Sequence, residues 1–217
     1  STASLAIKEQ EGSAVKSEVS ETLTYDRRDS RIDTTEGYIA RHTIDLAGLG
    51  GSVRYIRNRV SGTQFFPITD TVVGSLGGGA GYIFGLSDDV RITDAFFLGG
   101  TNLRGFANAG AGPRDLVSDD AVGGNWFYNG VAQVTFPIGL PNEFGVRGRA
   151  FTDIGSSGNT DAKLGTIADT KSLRASVGFG ITWKSPFGPI TIDLAHPVLK
   201  EDFDDTELFR FDFGARF

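Results

Sequence analysis

The sequence predicts an all-β fold, an antiparallel transmembrane β-barrel, and three observations indicate it. Apolar and polar residues alternate along most of the chain, as they do where successive side chains of a strand point to opposite faces. Short turns and long loops also alternate, which is typical of barrels with short periplasmic turns and long extracellular loops. Finally, the chain ends on an alternating apolar segment: Phe209, Phe211, Phe213, Ala215 and Phe217.

The alternation predicts about ten strands, each near the length that crosses a bilayer at a tilt. Their expected positions are 3–10, 17–27, 37–47, 51–65, 71–84, 126–136, 144–154, 173–184, 190–195 and 207–217. A soluble β-sandwich or a lipocalin-like barrel would show similar alternation. Aromatic residues near strand ends, such as Trp126, Tyr128 and Trp183, favour the membrane barrel because interfacial girdles use them.

The composition limits the function classes. The chain has 217 residues, with 30 glycines, 17 phenylalanines, no cysteine and no methionine. The lack of cysteine excludes disulfides, thiolate zinc sites and a cysteine nucleophile. A net charge of -6 without a basic block argues against nucleic acid as a partner. Because no initiator methionine or signal peptide is present, we expect a piece of a longer protein.

Several motifs follow one another in a recognisable order. The longest loop, 85–125, contains Leu103-Arg104-Gly105-Phe106 and ends on Asp119-Asp120-Ala121-Val122-Gly123-Gly124-Asn125. Further along come Phe151-Thr152-Asp153-Ile154-Gly155 and Trp183-Lys184-Ser185-Pro186-Phe187-Gly188-Pro189. Together with the terminal aromatic residue, these segments resemble the outer-membrane protein assembly-factor superfamily, and its BamA branch most closely. The resemblance covers roughly residues 17–217.

The resemblance implies a barrel of sixteen strands, of which this chain would hold the carboxy-terminal portion over residues 1–217. The first barrel strands and the periplasmic POTRA domains would then lie outside it. The implied function is an insertase in the Gram-negative outer membrane, which folds and inserts β-barrel proteins through a lateral seam. A two-partner secretion or TamA-type transporter is the alternative, and a passive porin explains the alternation but not the motifs.

The implied partners follow from that function. They are unfolded outer-membrane β-barrel substrates, outer-membrane lipid and lipopolysaccharide, and the BAM lipoproteins, which would bind through the periplasmic domains. No cofactor, metal or nucleotide is implied. The sequence shows no catalytic constellation and no Gly-x-Ser-x-Gly elbow, so we expect that the protein is not an enzyme.

The motif in the long loop predicts a specific contact. An arginine folded into a barrel lumen loses hydration and needs an acceptor, and a carboxylate can take its planar fork. Asp153 lies in the polar register of its strand, so we expect an Arg104–Asp153 pair that locks the loop inside, with Leu103 beside it. Gly105 would allow close backbone approach, and Phe106 would pack on lumen aromatics such as Phe151.

The further partners of that arginine remain open. BamA often carries a glutamate on the strand after the loop, where this sequence has Thr135 flanked by Gln133. We expect the other end of the loop to be supported by Asp119, Asp120, Gly123, Gly124 and Asn125. Adjacent aspartates lack the ligand spacing of a calcium loop, so a metal is not expected there. The acidic run 201–205 is expected to be a solvated extracellular loop.

The last predicted strand, 207–217, would form one side of the lateral seam. Its members are Phe209, Phe211, Phe213, Gly214 and Phe217. Glycine packs nothing inside a strand, so we expect Gly214 to weaken or kink this one. A weak edge strand exposes backbone groups that can template an incoming strand.

Overall fold

A computed structural model describes residues 3–185 and 188–214 of the chain. Over these residues it has twelve strands and one α-helix, α1 (Leu5–Glu9). The strands are β1 (Lys16–Asp26), β2 (Gly37–Gly51), β3 (Tyr55–Pro67), β4 (Val73–Gly85), β5 (Arg114–Asp115), β6 (Asp120–Ala121), β7 (Trp126–Pro137), β8 (Val146–Gly158), β9 (Ile167–Ala168), β10 (Arg174–Ser185), β11 (Gly188–Leu199) and β12 (Phe209–Phe213). Short 3-10 turns occupy Ile92–Asp94 and Asn142–Phe144.

Nine of the strands form one large antiparallel sheet in the described part of the chain. Their order is β1-β2-β3-β4-β7-β8-β10-β11-β12, so each strand pairs with its nearest long neighbours in sequence. Such up-and-down order is that of a barrel wall. The predicted fold, part of an antiparallel transmembrane barrel, is thereby confirmed. Among the described residues, β1 and β12 are the two edges of this wall.

The two faces of the wall differ in the way that a membrane requires. Side chains such as Phe179 and Phe211 point outward and are more than half exposed. The inner face instead buries carboxylates, among them Asp45, Asp153 and Asp193. A soluble lipocalin-like barrel needs the opposite arrangement, with an apolar lumen and a polar outside. The apolar outer face therefore favours the membrane barrel over the soluble alternative.

The strand expected at 3–10 is wrong, because this segment contains helix α1. Ser4 begins the helix, and its hydroxyl accepts a hydrogen bond from the backbone N–H of Ala6 at 3.2 Å. Serine is a favoured helix cap for this reason. Within the described residues, no helix is both long enough and apolar enough to span a membrane.

The last strand begins two residues later than expected. Over the described residues it occupies Phe209–Phe213, and Gly214 follows with φ of 117° and donates from its backbone N–H to Pro189 O at 2.9 Å. The expected weakening or kinking of the strand by Gly214 stays a prediction, because the residues after Gly214 lie outside the described part of the chain. Phe217 lies outside the described residues.

The long loops gather at one end of the wall. Their layer contains a small three-stranded sheet of order β6-β5-β9, which joins the loop after β4 to the loop after β8. The chain start packs on it: Ser4 donates through Oγ to Asp115 Oδ2 at 2.5 Å and through its backbone N–H to Asp120 Oδ2 at 2.6 Å. This layer holds the loop that carries Arg104.

Candidate functional site: a loop pinned to the inner wall

The loop between β4 and β7 turns into the concave side of the sheet. Its buried apolar side chains form a cluster against Phe127 of β7: Leu98, Leu103, Phe106 and Ala111. Phe106 is fully buried in this cluster, which packs on the lumen aromatic Phe127, whereas Phe151 takes no part in it. Burial of these side chains favours the inserted position of the loop.

Arg104 binds Asp153 on β8 with both its side chain and its backbone. Its Nε lies 2.7 Å from Asp153 Oδ2, and its Nη2 lies 2.6 Å from Oδ1. The backbone N–H of Arg104 also donates to Oδ2, at 3.0 Å. The structure thus brings together the two residues that the sequence predicted to pair. Both side chains are nearly buried, so little solvent screens the contact.

Further groups complete the surroundings of the guanidinium. Nη1 donates to Gln133 Oε1 on β7 at 3.0 Å, which identifies a partner that sequence reasoning had left open. The guanidinium carbon lies 3.4 Å from the ring centre of Phe151, so this aromatic residue stacks on the arginine rather than on Phe106. Gln133 lies two residues before Thr135, and both side chains face inward from β7. Either position could therefore have supplied the further partner of Arg104.

A second ion pair adjoins the first. Asp193 of β11 lies 3.9 Å from Arg104 Nη1 and accepts two hydrogen bonds from Arg149 of β8, one of them at 2.7 Å. Two arginines and two aspartates therefore alternate on the inner wall, with their charges balanced. Such an arrangement can hold elements together, since each buried charge has an opposite charge beside it.

Gly105 lets the loop approach β10 closely. Its φ is 91°, a backbone conformation that favours glycine. A Cβ added here would lie 3.0 Å from the Cβ of Ser176. The residue after the arginine is therefore constrained by both its backbone angle and its neighbour.

The five residues predicted to support the loop lie at its carboxy-terminal end, directly before β7. Asp119 has φ of 62° and accepts a bond from Arg114 Nη1 at 3.0 Å, while Asp120 accepts the bond from Ser4. Gly123 has φ of 70° and lies against Ala95. The backbone N–H of Gly124 donates to Phe96 O, and that of Phe96 donates to Gly124 O, both at 2.9 Å. Asn125 donates from its backbone N–H to Gly158 O at 2.9 Å.

The acidic run 201–205 is not simply solvated, contrary to the expectation. Asp204 is buried and binds Arg174 of β10, whose Nε and Nη2 lie 3.0 Å from its two carboxylate oxygens. A buried arginine requires a carboxylate of this kind. The members of the pair are thirty residues apart, and no motif in the sequence connects them.

The predicted seam strand, β12, is an edge of the wall in the described residues. It pairs antiparallel with β11, with Ile192 opposite Phe211. Its outward side chains are all more than half exposed: Phe209, Phe211 and Phe213. Arg210 and Asp212 take the inward register.

A cavity of about 440 Å³ lies beside the pinned loop, between it and the inner wall. Arg104, Gln133 and Asp193 line it, together with Asp212 of β12. The pinned motif and the seam strand therefore face the same lumen space.

Comparison with known proteins gives a consistent result. The model of the Omp85 superfamily domain matches residues 1–217. The chain is 35% identical, over 95% of its length, to the outer membrane protein assembly factor BamA of Neorickettsia risticii (strain Illinois). It is 28% identical, over 88% of its length, to BamA of Neisseria meningitidis serogroup B.

A solved structure resembles the fold as well. The crystal structure of BamA from Haemophilus ducreyi lacking POTRA domains 1-3 superimposes with a TM-score of 0.80 at 26% identity. The match covers 89% of this chain and 41% of that one. Similarly, the chain spans 28% of the Neorickettsia protein and 27% of the Neisseria protein, so it corresponds to a part of these relatives.

Proposed function

The chain belongs to the Omp85 superfamily, and we propose that it is the carboxy-terminal barrel portion of an outer-membrane insertase of the BamA kind. In this role, the barrel folds other β-barrel proteins and inserts them into the Gram-negative outer membrane. Its substrates are unfolded barrel proteins. The first strands, the POTRA domains and the lipoprotein contacts that they make belong to the rest of the protein.

The observation that carries the proposal is the form of β12. Among the described residues it pairs with β11 on one side only, and its outward side chains Phe209, Phe211 and Phe213 are more than half exposed. An edge strand presents unpaired N–H and C=O groups to which another strand can add. Alternating phenylalanines on β12 also match the pattern that an incoming barrel strand itself carries.

The pinned loop supports an assembly role over that of a passive porin. Arg104 and Asp153 bury a charged pair at the wall, and apolar packing of Leu103 and Phe106 holds the same segment. A pore that only conducts solutes does not require this ordered set of contacts. In a transporter the same loop would act as a plug or gate, which the experiment below distinguishes.

No chemical step is part of the proposal. The inward-facing charges near the loop are balanced ion pairs, which suit structural rather than acid–base work. Free energy for insertion would come from burial of the apolar face of the substrate in lipid. Outer-membrane lipid and lipopolysaccharide are accordingly direct partners of the apolar outer face.

Depletion of the full-length protein in its host tests the proposal. Folded barrels of the outer membrane would be quantified by their heat-dependent shift on gels. A general insertase predicts that many unrelated barrels decline together and accumulate unfolded in the periplasm. If barrels stay normal while one secreted protein is trapped inside the cell, the protein is a dedicated transporter instead.

A further inference from the structure

The loop that leads into the seam strand is hydrogen-bonded to the loop that carries Arg104. Phe106 and Thr206 pair as an isolated antiparallel bridge. Backbone bonds flank this bridge on both sides: Ala107 N to Asp205 O at 3.0 Å, Asp205 N to Gly110 O at 2.8 Å, and Glu207 N to Gly105 O at 3.1 Å. The segment 105–110 and the segment 205–207 therefore behave as one small ribbon.

This ribbon is attached to the wall at a second point. Arg174 of β10 binds both carboxylate oxygens of Asp204, and the two side chains are almost completely buried. Asp204 Oδ2 also accepts the backbone N–H of Glu201 at 2.8 Å, which shapes the loop around the pair. A buried arginine–carboxylate fork is directional, so it fixes the orientation of the loop as well as its position.

The seam strand begins immediately after the ribbon. Glu207 precedes the first residue of β12 by two positions, and its carboxylate accepts a bond from Arg210 of that strand. Leu208 O accepts a bond from Ala195 N at 2.9 Å, so the connection is also joined to β11. No long flexible segment separates the ribbon from β12.

We propose that loop 200–208 couples the pinned motif to the seam strand, with Arg174 and Asp204 as its positioning residues. Arg104 fixes the motif to β8. The backbone bonds of the ribbon join the motif to loop 200–208, and the Arg174–Asp204 pair holds that loop against β10. The upper end of β12 is then held on β11 only while both attachments are made. Release of either one loosens β12. This coupling rests on the proposed function, for which β12 is the seam.

Hydrogen–deuterium exchange on the purified full-length protein in lipid nanodiscs tests the coupling without any substrate. The variants are Arg104→Ala, Asp204→Asn and their combination. We expect each single change to speed exchange of the β12 amides about tenfold, as in local opening, while β7 and β8 stay protected. The double variant should exchange no faster than the faster single variant, since both act through one ribbon.

A matched control separates coupling from general destabilisation. Asp45 of β2 is also a buried carboxylate, and it binds Arg57 at 2.7 Å and Arg59 at 2.9 Å, far along the sheet from β12. We expect Asp45→Asn to leave exchange of β12 at the wild-type rate. An equal increase in this control would overturn the proposal, as would additive effects of the two test variants.

A second variant covers the case in which Asp204→Asn does not fold. Replacement of a buried ion pair by apolar residues of similar volume is often neutral or stabilising. The combination Arg174→Met with Asp204→Leu is therefore expected to fold but to lose the directional fork. Faster exchange of β12 in this protein supports the coupling, and wild-type exchange overturns it. Because exchange needs no substrate, failure of the insertase proposal would appear separately, in the depletion experiment.

Discussion

Arg104 donates three hydrogen bonds to the single carboxylate of Asp153, two from its guanidinium and one from its own backbone N–H. The backbone bond has a consequence that a side-chain pair alone would lack. Asp153 fixes the course of the loop itself, so the loop can leave the wall only if the carboxylate loses both kinds of bond. Removal of the arginine side chain should therefore weaken the attachment without abolishing it.

Arg104→Ala tests this attachment. The change leaves Asp153 buried without its charged partner, and loss of one member of a buried pair costs about 3–5 kcal/mol. We expect the full-length barrel to fold, with a lower free energy of unfolding in urea. We also expect it to insert a smaller fraction of its barrel substrates into the membrane. As a control, Asp89→Asn disrupts the exposed Lys163–Asp89 pair and should cost less than about 1 kcal/mol. Wild-type assembly by Arg104→Ala would contradict the locking role.

The effect of a substitution at Asp153 on the folded fraction should depend on the charge of the new side chain. Asn keeps a polar group in reach of Arg104, whereas Arg would place a like charge beside Arg104. We therefore expect Asp153→Arg to lower the folded fraction more than Asp153→Asn. The heat-dependent gel shift measures that fraction for both variants, and the reverse order would show that charge does not govern the site.

Gln133→Leu should weaken the site less than Arg104→Ala. It removes one hydrogen bond to a charged group, worth about 1.5–3 kcal/mol, while the Asp153 contacts remain. Thr135→Val is a matched control, because Thr135 lies two residues along β7 and also faces the lumen. Urea unfolding of both variants measures the difference. Equal losses would indicate that Gln133 has no special role.

Gly105→Ala should destabilise the loop through two separable effects. Alanine is disfavoured at φ of 91°, and its Cβ would crowd the Cβ of Ser176. Gly139 provides the control, since its φ is 82° and a Cβ there meets no atom within 4 Å. We expect Gly139→Ala to cost about 1 kcal/mol from the backbone alone, and Gly105→Ala about 1–3 kcal/mol more from crowding. Equal losses in urea unfolding would mean that β10 moves aside.

The alternation in the sequence predicted most of the wall correctly. Period-2 patterns placed Asp153 on the inner face of β8, and the resemblance of its segment to the assembly-factor superfamily indicated Arg104 as its partner. These inferences succeed because side-chain direction in a strand is a local property. Gln133 was not assigned as the second partner, because strand geometry alone does not distinguish it from Thr135 on the same face.

The contact between Arg174 and Asp204 was not predicted from the sequence. Arg174 and Asp204 meet because loop 200–208 folds back over β10, and no local period encodes that approach. The helix at Leu5–Glu9 had one available signal, the capping serine Ser4, but the segment is too short for helical periodicity to compete with apparent alternation.

Acid should loosen the turn 27–36 between β1 and β2 only at very low pH. The Thr35 hydroxyl donates to Asp29 Oδ2 at 2.6 Å, and with the backbone amides of Thr35 and Glu36 it lowers the pKa of Asp29 from 3.8 to about 2. The folded-state pKa lies below the unfolded value. Stability from these bonds is thus fully present above the unfolded pKa and is lost as pH falls through about 2.

The carboxyl carbon signal of Asp29 in labelled full-length protein measures this pKa directly, and Asp29→Asn assigns the signal. We expect a titration midpoint near 2 in the wild type. Thr35→Val removes the strongest of the hydrogen bonds, so the midpoint should rise toward the ordinary aspartate value. A wild-type midpoint already at the ordinary value would show that the Thr35 bond does not form in solution. An unchanged midpoint in Thr35→Val would assign the shift to the backbone amides instead.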